Sequence, residues 1–579
     1  MISNFLTPRH LEVTPTSLSK VLLVGGCIFD LWIDAIGRAS PDVQVNHCLY
    51  QHAMQPESHS EPWDLRLAQL ALRSMIPERM TMNLSYQDID GHKALFERTV
   101  DFLRNHVHAI SQGSNNGPTF FLNYFVPQQN PRGRMLPRYE LTNPVYFIEE
   151  LNRKLYEIVS DISNSYVLDI AQISASIGKQ KFQDDPFCII SHSSFVSRYD
   201  DNFDLNRLEP STSLMDRYDF PVSVVAETFW LEAVALYRTL SATDRVKMLC
   251  IDLDDTMWRG VMAEREDVDP ASLEGWPIGL AEALIFLKNR GVILAIVSKN
   301  DEARIQEIWP QLFSQTIRME DFAIRKIGWR PKAEAIAEAM AEANVLADAV
   351  VFLDDNPVER AQVKAAHPQV RVIEAPHTDW RRILLWSAEM QVDIVTDESI
   401  HRNDMVQAQV RREQIRQQMD HGDFLQSLDV QVMFDLVQSC DHAKFPRALE
   451  LVNKTNQFNT TGRRWTAGEA EDFFTHNGQW MTFSVSDRYT SYGLVGVVMI
   501  SFDEIVQFLM SCRVFGLGVE QAVLAYLASG RLLSALVIDT PKNGPCRHLF
   551  RDAGWQFDGS KWRSHGNAVS QPAHVSFSP

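Results

Sequence analysis

Several things are scarce in this chain, and each scarcity narrows its class. No apolar run approaches the ~20 residues that a bilayer-spanning helix needs, so no membrane segment is expected. Met1 to Val13 hold no basic stretch followed by a long apolar core, so no secretory signal is expected. The 579 residues include seven cysteines and no Cys-x-x-Cys pair. That argues against a disulfide framework or a zinc site and for reduced thiols in the cytoplasm. Positive charge is also short: 55 Lys and Arg stand against 74 Asp and Glu, a net charge of −19. Without blocks of Lys and Arg, nucleic acid is not an expected partner. There is no internal repeat and no extended low-complexity tract.

What is present reads as soluble globular protein, 45% hydrophobic. At ~100–200 residues per domain, the length predicts about three domains. In the first third, Val21 to Val24 runs into Gly25-Gly26-Cys27, Thr119 to Leu122 into Asn123, and Tyr166 to Leu168 into Asp169. Apolar runs that end on polar residues or glycine, with helical patterns between, predict an α/β layer structure. Val224 to Ser241 is expected as a helix closing this region.

The most informative stretch is Asp252-Leu253-Asp254-Asp255-Thr256-Met257, after the apolar run Val246 to Ile251. Such a run predicts a buried strand of a parallel sheet. Ligands bind at the carboxyl edge of such sheets. Two carboxylates converging there repel unless a cation lies between them, and hard oxygen ligands suit Mg²⁺. Further strands are expected at Val292 to Val297, ending on Ser298-Lys299-Asn300-Asp301, and at Val350 to Leu353, ending on Asp354-Asp355-Asn356-Pro357. Before the first of these is expected the helix Leu280 to Asn289, with Gly291 as its C-cap signal. The charged, helical pattern from Ile400 to Leu428 reads as a connector. Beyond Val430, strands are expected at Met481 to Val485, Gly496 to Ile500 and Ile505 to Ser511, then a helix Val519 to Ser529.

Four ordered motifs make the middle segment resemble a haloacid-dehalogenase (HAD) domain with a Rossmann-like parallel sheet. They are Asp252-x-Asp254-x-Thr256, Ser298, Lys332 in Gly328-Trp329-Arg330-Pro331-Lys332, and Asp354-Asp355. The resemblance implies that Asp252 attacks phosphorus and that Asp254 protonates the leaving oxygen and then activates water. It implies that Mg²⁺ is held by Asp252, Asp354 and the backbone carbonyl of Asp254, with Asp355 as a further metal-site residue. The resemblance also implies that Thr256 and Asn300 belong to the substrate site. Ser298 and Lys332 stabilise the equatorial oxygens; Lys326 is an alternative to Lys332.

Arg513-x-x-Gly516-x-Gly518, after a strand and before a helix, resembles the acyl-carrier loop of GNAT N-acetyltransferases, as do Thr540 to Asn543 and Phe550 to Trp555. Cys512 beside it is either a small buried hydrophobe or an acyl-accepting thiol. In the first third, Gly25-Gly26-Cys27, Asn123 and Asp169 occupy strand ends in the order of SGNH-hydrolase-like domains. No convincing histidine follows, His192 included, so a scaffold or docking role is expected. The fold class expected is thus multidomain α/β: SGNH-like 1–243, HAD-like 244–399, a helical connector 400–428 and a GNAT-like α+β domain 429–579.

Together, Leu168 to Trp555 resemble the FkbH-like (HAD-IIIC) glyceryl-transferase family. The blocks include Asp252 to Gly260, Phe352 to Arg360, Asn453 to Asn459, Tyr492 to Gly496 and Ser511 to Glu520. The resemblance implies that 1,3-bisphosphoglycerate donates its glyceryl group to an enzyme thiol, with Cys512 the leading candidate. The group then passes to the phosphopantetheine thiol of an acyl carrier protein, for polyketide or related biosynthesis, and the HAD site removes the C3 phosphate. Lys454, Asn456 and Gln457 would face the same cleft. Two other readings stand beside this one: a HAD phosphatase whose last segment only binds a partner, and a degenerate docking protein. The chain departs from relatives at Ser491, where they carry an acid, at Leu517, where arginine is frequent, and at Asp255 and Arg259. Carrier proteins are acidic, so Lys454, Arg463, Arg464 and Arg513 are expected to form a local basic patch.

Overall fold

The computed structural model describes residues 6–26, 29–49, 62–76, 84–112, 117–183, 205–209, 213, 216, 218–262, 270–313, 316–416, 419–455, 457–540, 543–565 and 570–578. Cys27, His192 and Asn456 lie outside them. The chain packs as two compact units, Met1–Arg290 with Leu346–Val395, and Gly291–Val345 with Thr396–Pro579. The segment 244–399 therefore contributes residues to both.

The first unit contains a five-stranded sheet in the spatial order Gln44–Leu49, Lys20–Gly25, Leu65–Gln69, Thr119–Leu122, Ser165–Leu168. All its pairings are parallel. Alternate residues serve opposite faces, as strand geometry requires. Val21, Leu23, Leu65 and Leu67 pack with the helices Phe29–Ala39 and Val222–Leu240. Leu22, Val24 and Ala68 pack with Ile89–Ser111 and Pro144–Ser160. A sheet buried on both faces needs continuous apolar runs, and those runs made three of its strands legible. The Leu65–Gln69 strand escaped because Arg66 interrupts it. That guanidinium is buried, donates to the Ile110 carbonyl and has its pKa lowered by burial.

The same unit holds three more parallel strands, Arg371–Val372, Val350–Leu353 and Met248–Ile251, paired in that order. Arg238 ties their surroundings to the amino-terminal segment. It is buried and donates to Glu389 at 2.9 and 3.0 Å, to Asp244 at 2.8 Å and to the Thr14 carbonyl at 2.8 Å.

In the second unit Ile293–Ser298 pairs in parallel with Ile324–Ile327. The helix Arg402–Arg416, in the segment read as a helical connector, packs here. Its Asn403 is fully buried, donates to the Val292 carbonyl at 2.9 Å and accepts from the Leu294 amide at 2.9 Å. The rest is an eight-stranded sheet. Val430–Val437, Gly478–Ser486, Ser491–Ser501 and Glu504–Met510 pair antiparallel in that order, and Val575–Ser578 runs parallel to the first of them. After a turn the helix Val519–Ala528 leads to Ser534–Ala535, parallel to Glu504–Met510. Gly496 has a definite cause: a Cβ there would lie 1.8 Å from the Phe483 ring. Among the described residues no helix is long and apolar enough to cross a membrane.

Candidate active site and metal centre

The Met248–Ile251 and Val350–Leu353 strands are parallel neighbours, so their carboxyl ends lie side by side. The residues that follow, Asp252 on one and Asp354-Asp355 on the other, are brought together by that register. One carboxylate oxygen from each of Asp252, Asp354 and Asp355 lies within 4.8 Å of the others. Asp252 and Asp354 are buried. Thr256, fully buried, joins the two acidic segments: its hydroxyl accepts from the Asp355 amide at 3.1 Å and lies 3.4 Å from the Asp355 carboxylate. Asn356 donates its amide to Asp354 Oδ1 at 2.8 Å, and Arg360 binds the carbonyls of Asp354 and Asp355, each at 2.8 Å.

Like charges this close raise one another's energy, and burial removes the water that would screen them. The donor set is hard, anionic and all oxygen, which fits a divalent cation of the Mg²⁺ class. Asp254 is placed differently. Its Oδ1 accepts from Trp258 Nε1 at 2.8 Å and from the Met262 amide at 3.1 Å, and its carboxylate is not in the group of three. Two donors on one oxygen fix its orientation. Asp255 adopts a left-handed φ of 50° and accepts from the Gly260 amide at 2.6 Å. Arg259 stacks on Trp276 and reaches the Ala271 carbonyl. Asp255 and Arg259 are thus committed to the local turn.

In the second unit Ser298 ends its strand, is buried and accepts from Asn300 at 3.0 Å. Lys332 opens the helix Lys332–Ala343 and is 5% exposed. Lys326 is committed elsewhere, to Glu342 at 2.6 Å and Glu338 at 3.2 Å.

The carboxyl-terminal residues fall into two groups. Gly516 and Gly518 take φ of 75° and 71°, which glycine adopts without cost, in the turn between strand and helix. Cys512 and Arg513 lie in the 3₁₀ turn Cys512–Val514 just before them. Leu517 is buried in the core, so apolar packing occupies the position of the frequent arginine. Lys454 ends the helix Phe445–Lys454 and Gln457 is exposed. The expected basic patch has internal partners throughout. Lys454 pairs with Glu450 at 2.7 Å, Arg463 with Glu469 at 3.2 Å and Arg513 with Glu398, while Arg464 binds the Val452 and Thr455 carbonyls at 2.7 and 2.8 Å.

Asp487 of the divergent block is structural. It accepts from the Tyr489 and Thr490 amides at 2.8 and 2.9 Å, from Tyr492 at 2.5 Å, and pairs with Arg412 at 3.2 Å. The sequence did not point to Glu398, which pairs with Arg513, to Glu450, which pairs with Lys454, or to Arg447, which pairs with both acids. Sequence reading also missed Gln507, which is fully buried and holds Asn459 at 2.8 Å and Trp465 at 2.7 Å. A glutamine inside an apolar strand was the available signal for the last.

No family model matches the chain, and no curated protein matches it. Among solved structures it is similar to the N-terminal part of protein BF1531 from Bacteroides fragilis, described as containing a phosphatase domain and complexed with Mg. The two share 20% identity with a TM-score of 0.47, over 68% of this chain and 99% of that one.

Proposed function

We propose that the chain is a Mg²⁺-dependent HAD-type phosphohydrolase coupled to acyl transfer. Its product would be glyceryl-S-acyl carrier protein, made from 1,3-bisphosphoglycerate. The observation that carries the phosphatase part is the gathering of Asp252, Asp354 and Asp355 at two adjacent strand ends. Bound there, Mg²⁺ would offset their charge and that of the phosphate oxygens.

Asp252 is the nucleophile: a bond forms from its carboxylate oxygen to phosphorus as the bond from phosphorus to the leaving oxygen breaks. Asp254 gives that oxygen its proton, then takes one from the water that hydrolyses the aspartyl-phosphate. Trp258 and the Met262 amide orient it for both steps. The resemblance assigns Ser298 and Lys332 to the equatorial oxygens. In the acyl half, a thiol, with Cys512 the leading candidate, forms a thioester as the acyl phosphate releases phosphate. The carrier's phosphopantetheine thiol then takes the acyl group. This half rests on the resemblance of the 453–459 and 511–520 blocks, and the left-handed glycines of the loop support it.

Incubation with Mg²⁺, 1,3-bisphosphoglycerate and a phosphopantetheinylated carrier protein tests both halves. Intact mass should show a glyceryl adduct on the carrier, with phosphate released. Phosphate without an adduct leaves the phosphatase with a partner-binding segment; neither signal leaves a docking protein. Full loading by Cys512→Ala would remove the thiol step.

A further inference from the structure

The two blocks that carry the acyl-transfer resemblance are joined by a chain of charges that sequence spacing does not show. It runs Lys454, Glu450, Arg447, Glu398, Arg513. Residues 447, 450 and 454 share one face of the Phe445–Lys454 helix by their spacing. Glu398 comes from the single-turn helix Asp397–Ile400, far away in sequence. One of its oxygens pairs with Arg447 Nη2 and the other with Arg513 Nη1. Three cations face two carboxylates, so the cluster is positive within a chain of net charge −19.

Glu398 is shared between the two arginines, of which Glu450 reaches only Arg447. Arg447 Nε is buried and, among the described residues, finds no hydrogen-bond partner. A guanidinium offers five N–H donors in a planar fork that matches a phosphate group. A phosphate monoester brings more charge and one more oxygen than a carboxylate.

We propose that Arg447 and Arg513 form a receptor for a phosphate monoester, and that the Glu398 carboxylate occupies it until the ligand arrives. This rests on the reading that the carboxyl-terminal segment handles a phosphorylated acyl donor or carrier arm. Acyl transfer would then be gated: the loop that holds Cys512 meets its anion only when Glu398 is exchanged for phosphate.

The test is calorimetric titration of the full chain in metal-free buffer with 4′-phosphopantetheine, 3-phosphoglycerate and inorganic phosphate, with pantetheine as the phosphate-free probe. Glu398→Gln should bind the phosphate probes at least tenfold tighter than the native chain and pantetheine no tighter. Adding Arg447→Gln or Arg513→Gln should abolish the gain. Glu469→Gln, which frees Arg463 instead, should leave phosphate affinity unchanged. A larger gain for 4′-phosphopantetheine assigns the receptor to the carrier arm, and a larger gain for 3-phosphoglycerate to the free substrate. If Glu398→Gln fails to fold, Glu398→Asp should give a smaller gain of the same sign. A gain under twofold, or an equal gain for pantetheine, overturns the proposal. Flat calorimetry with carrier loading intact removes this inference alone, whereas absence of loading removes the reading beneath it.

Discussion

Two sets of parallel strands in the first unit end on polar residues, and they resolve their polarity in opposite ways. In the five-stranded sheet, Asn123 donates to Asp169 at 2.7 Å, and Asp169 also caps the helix Ile170–Ile177 by accepting from the Gln172 amide at 2.9 Å. Donors meet acceptors, and nothing further is required. At the ends of Met248–Ile251 and Val350–Leu353, three acceptors meet one another. The strand geometry is shared; only the sign of the side chains differs. A parallel edge becomes a site when its groups cannot satisfy each other.

The largest expected effect breaks the second set while sparing the first. Asp252→Asn should lower Mg²⁺-dependent phosphate release at least ~1000-fold, the range expected for losing a nucleophile that acts in concert with its neighbours. Asn123→Ala should change that rate less than about twofold. It should instead destabilise the fold by about 1–3 kcal/mol in urea titration, because it strands the partners of a buried amide. A comparable loss of activity in Asn123→Ala would erase the contrast between the two edges.

A smaller effect sharpens it from a third carboxylate. Burial works against ionisation of Asp244, but the Thr14 and Val13 amides, the Thr14 hydroxyl and Arg238 outweigh it and hold its pKa at about 2. The folded pKa lies below the unfolded one, so its stabilisation is fully present above about pH 4 and is lost as pH falls through about 2. Asp244→Asn should flatten the acid limb of the stability curve between those values. An unchanged limb would mean that Asp244 is not held by these donors.

The sequence made legible whatever depended on continuous apolar runs or on short motifs. The Thr119–Leu122 strand, the Met248–Ile251 strand and all three clustered acids were visible in that way. The Leu65–Gln69 strand was hidden by Arg66, whose cost is met by the distant Ile110 carbonyl. Ile324–Ile327 was hidden by Arg325 and Lys326, the latter paired to acids on the following helix. The stretch from 400 to 428 read as a charged helical connector, while its Asn403 makes contacts more than a hundred positions away and its Arg412 pairs with Asp487. Glu398 was invisible for the same reason. A pairing between residues 398, 447 and 513 leaves no periodicity, and only the fold supplies it.

The central claim is that Asp252, Asp354 and Asp355 form a cation site, and thermal unfolding under a Mg²⁺ titration tests it most directly. A ligand that binds only the folded state raises the melting temperature with its concentration. The native chain should show that rise and Asp354→Asn should not. Without metal, Asp354→Asn should melt at or above the native temperature, since one of three crowded charges is gone. Equal rises in both proteins, or none in the native chain, would contradict the account.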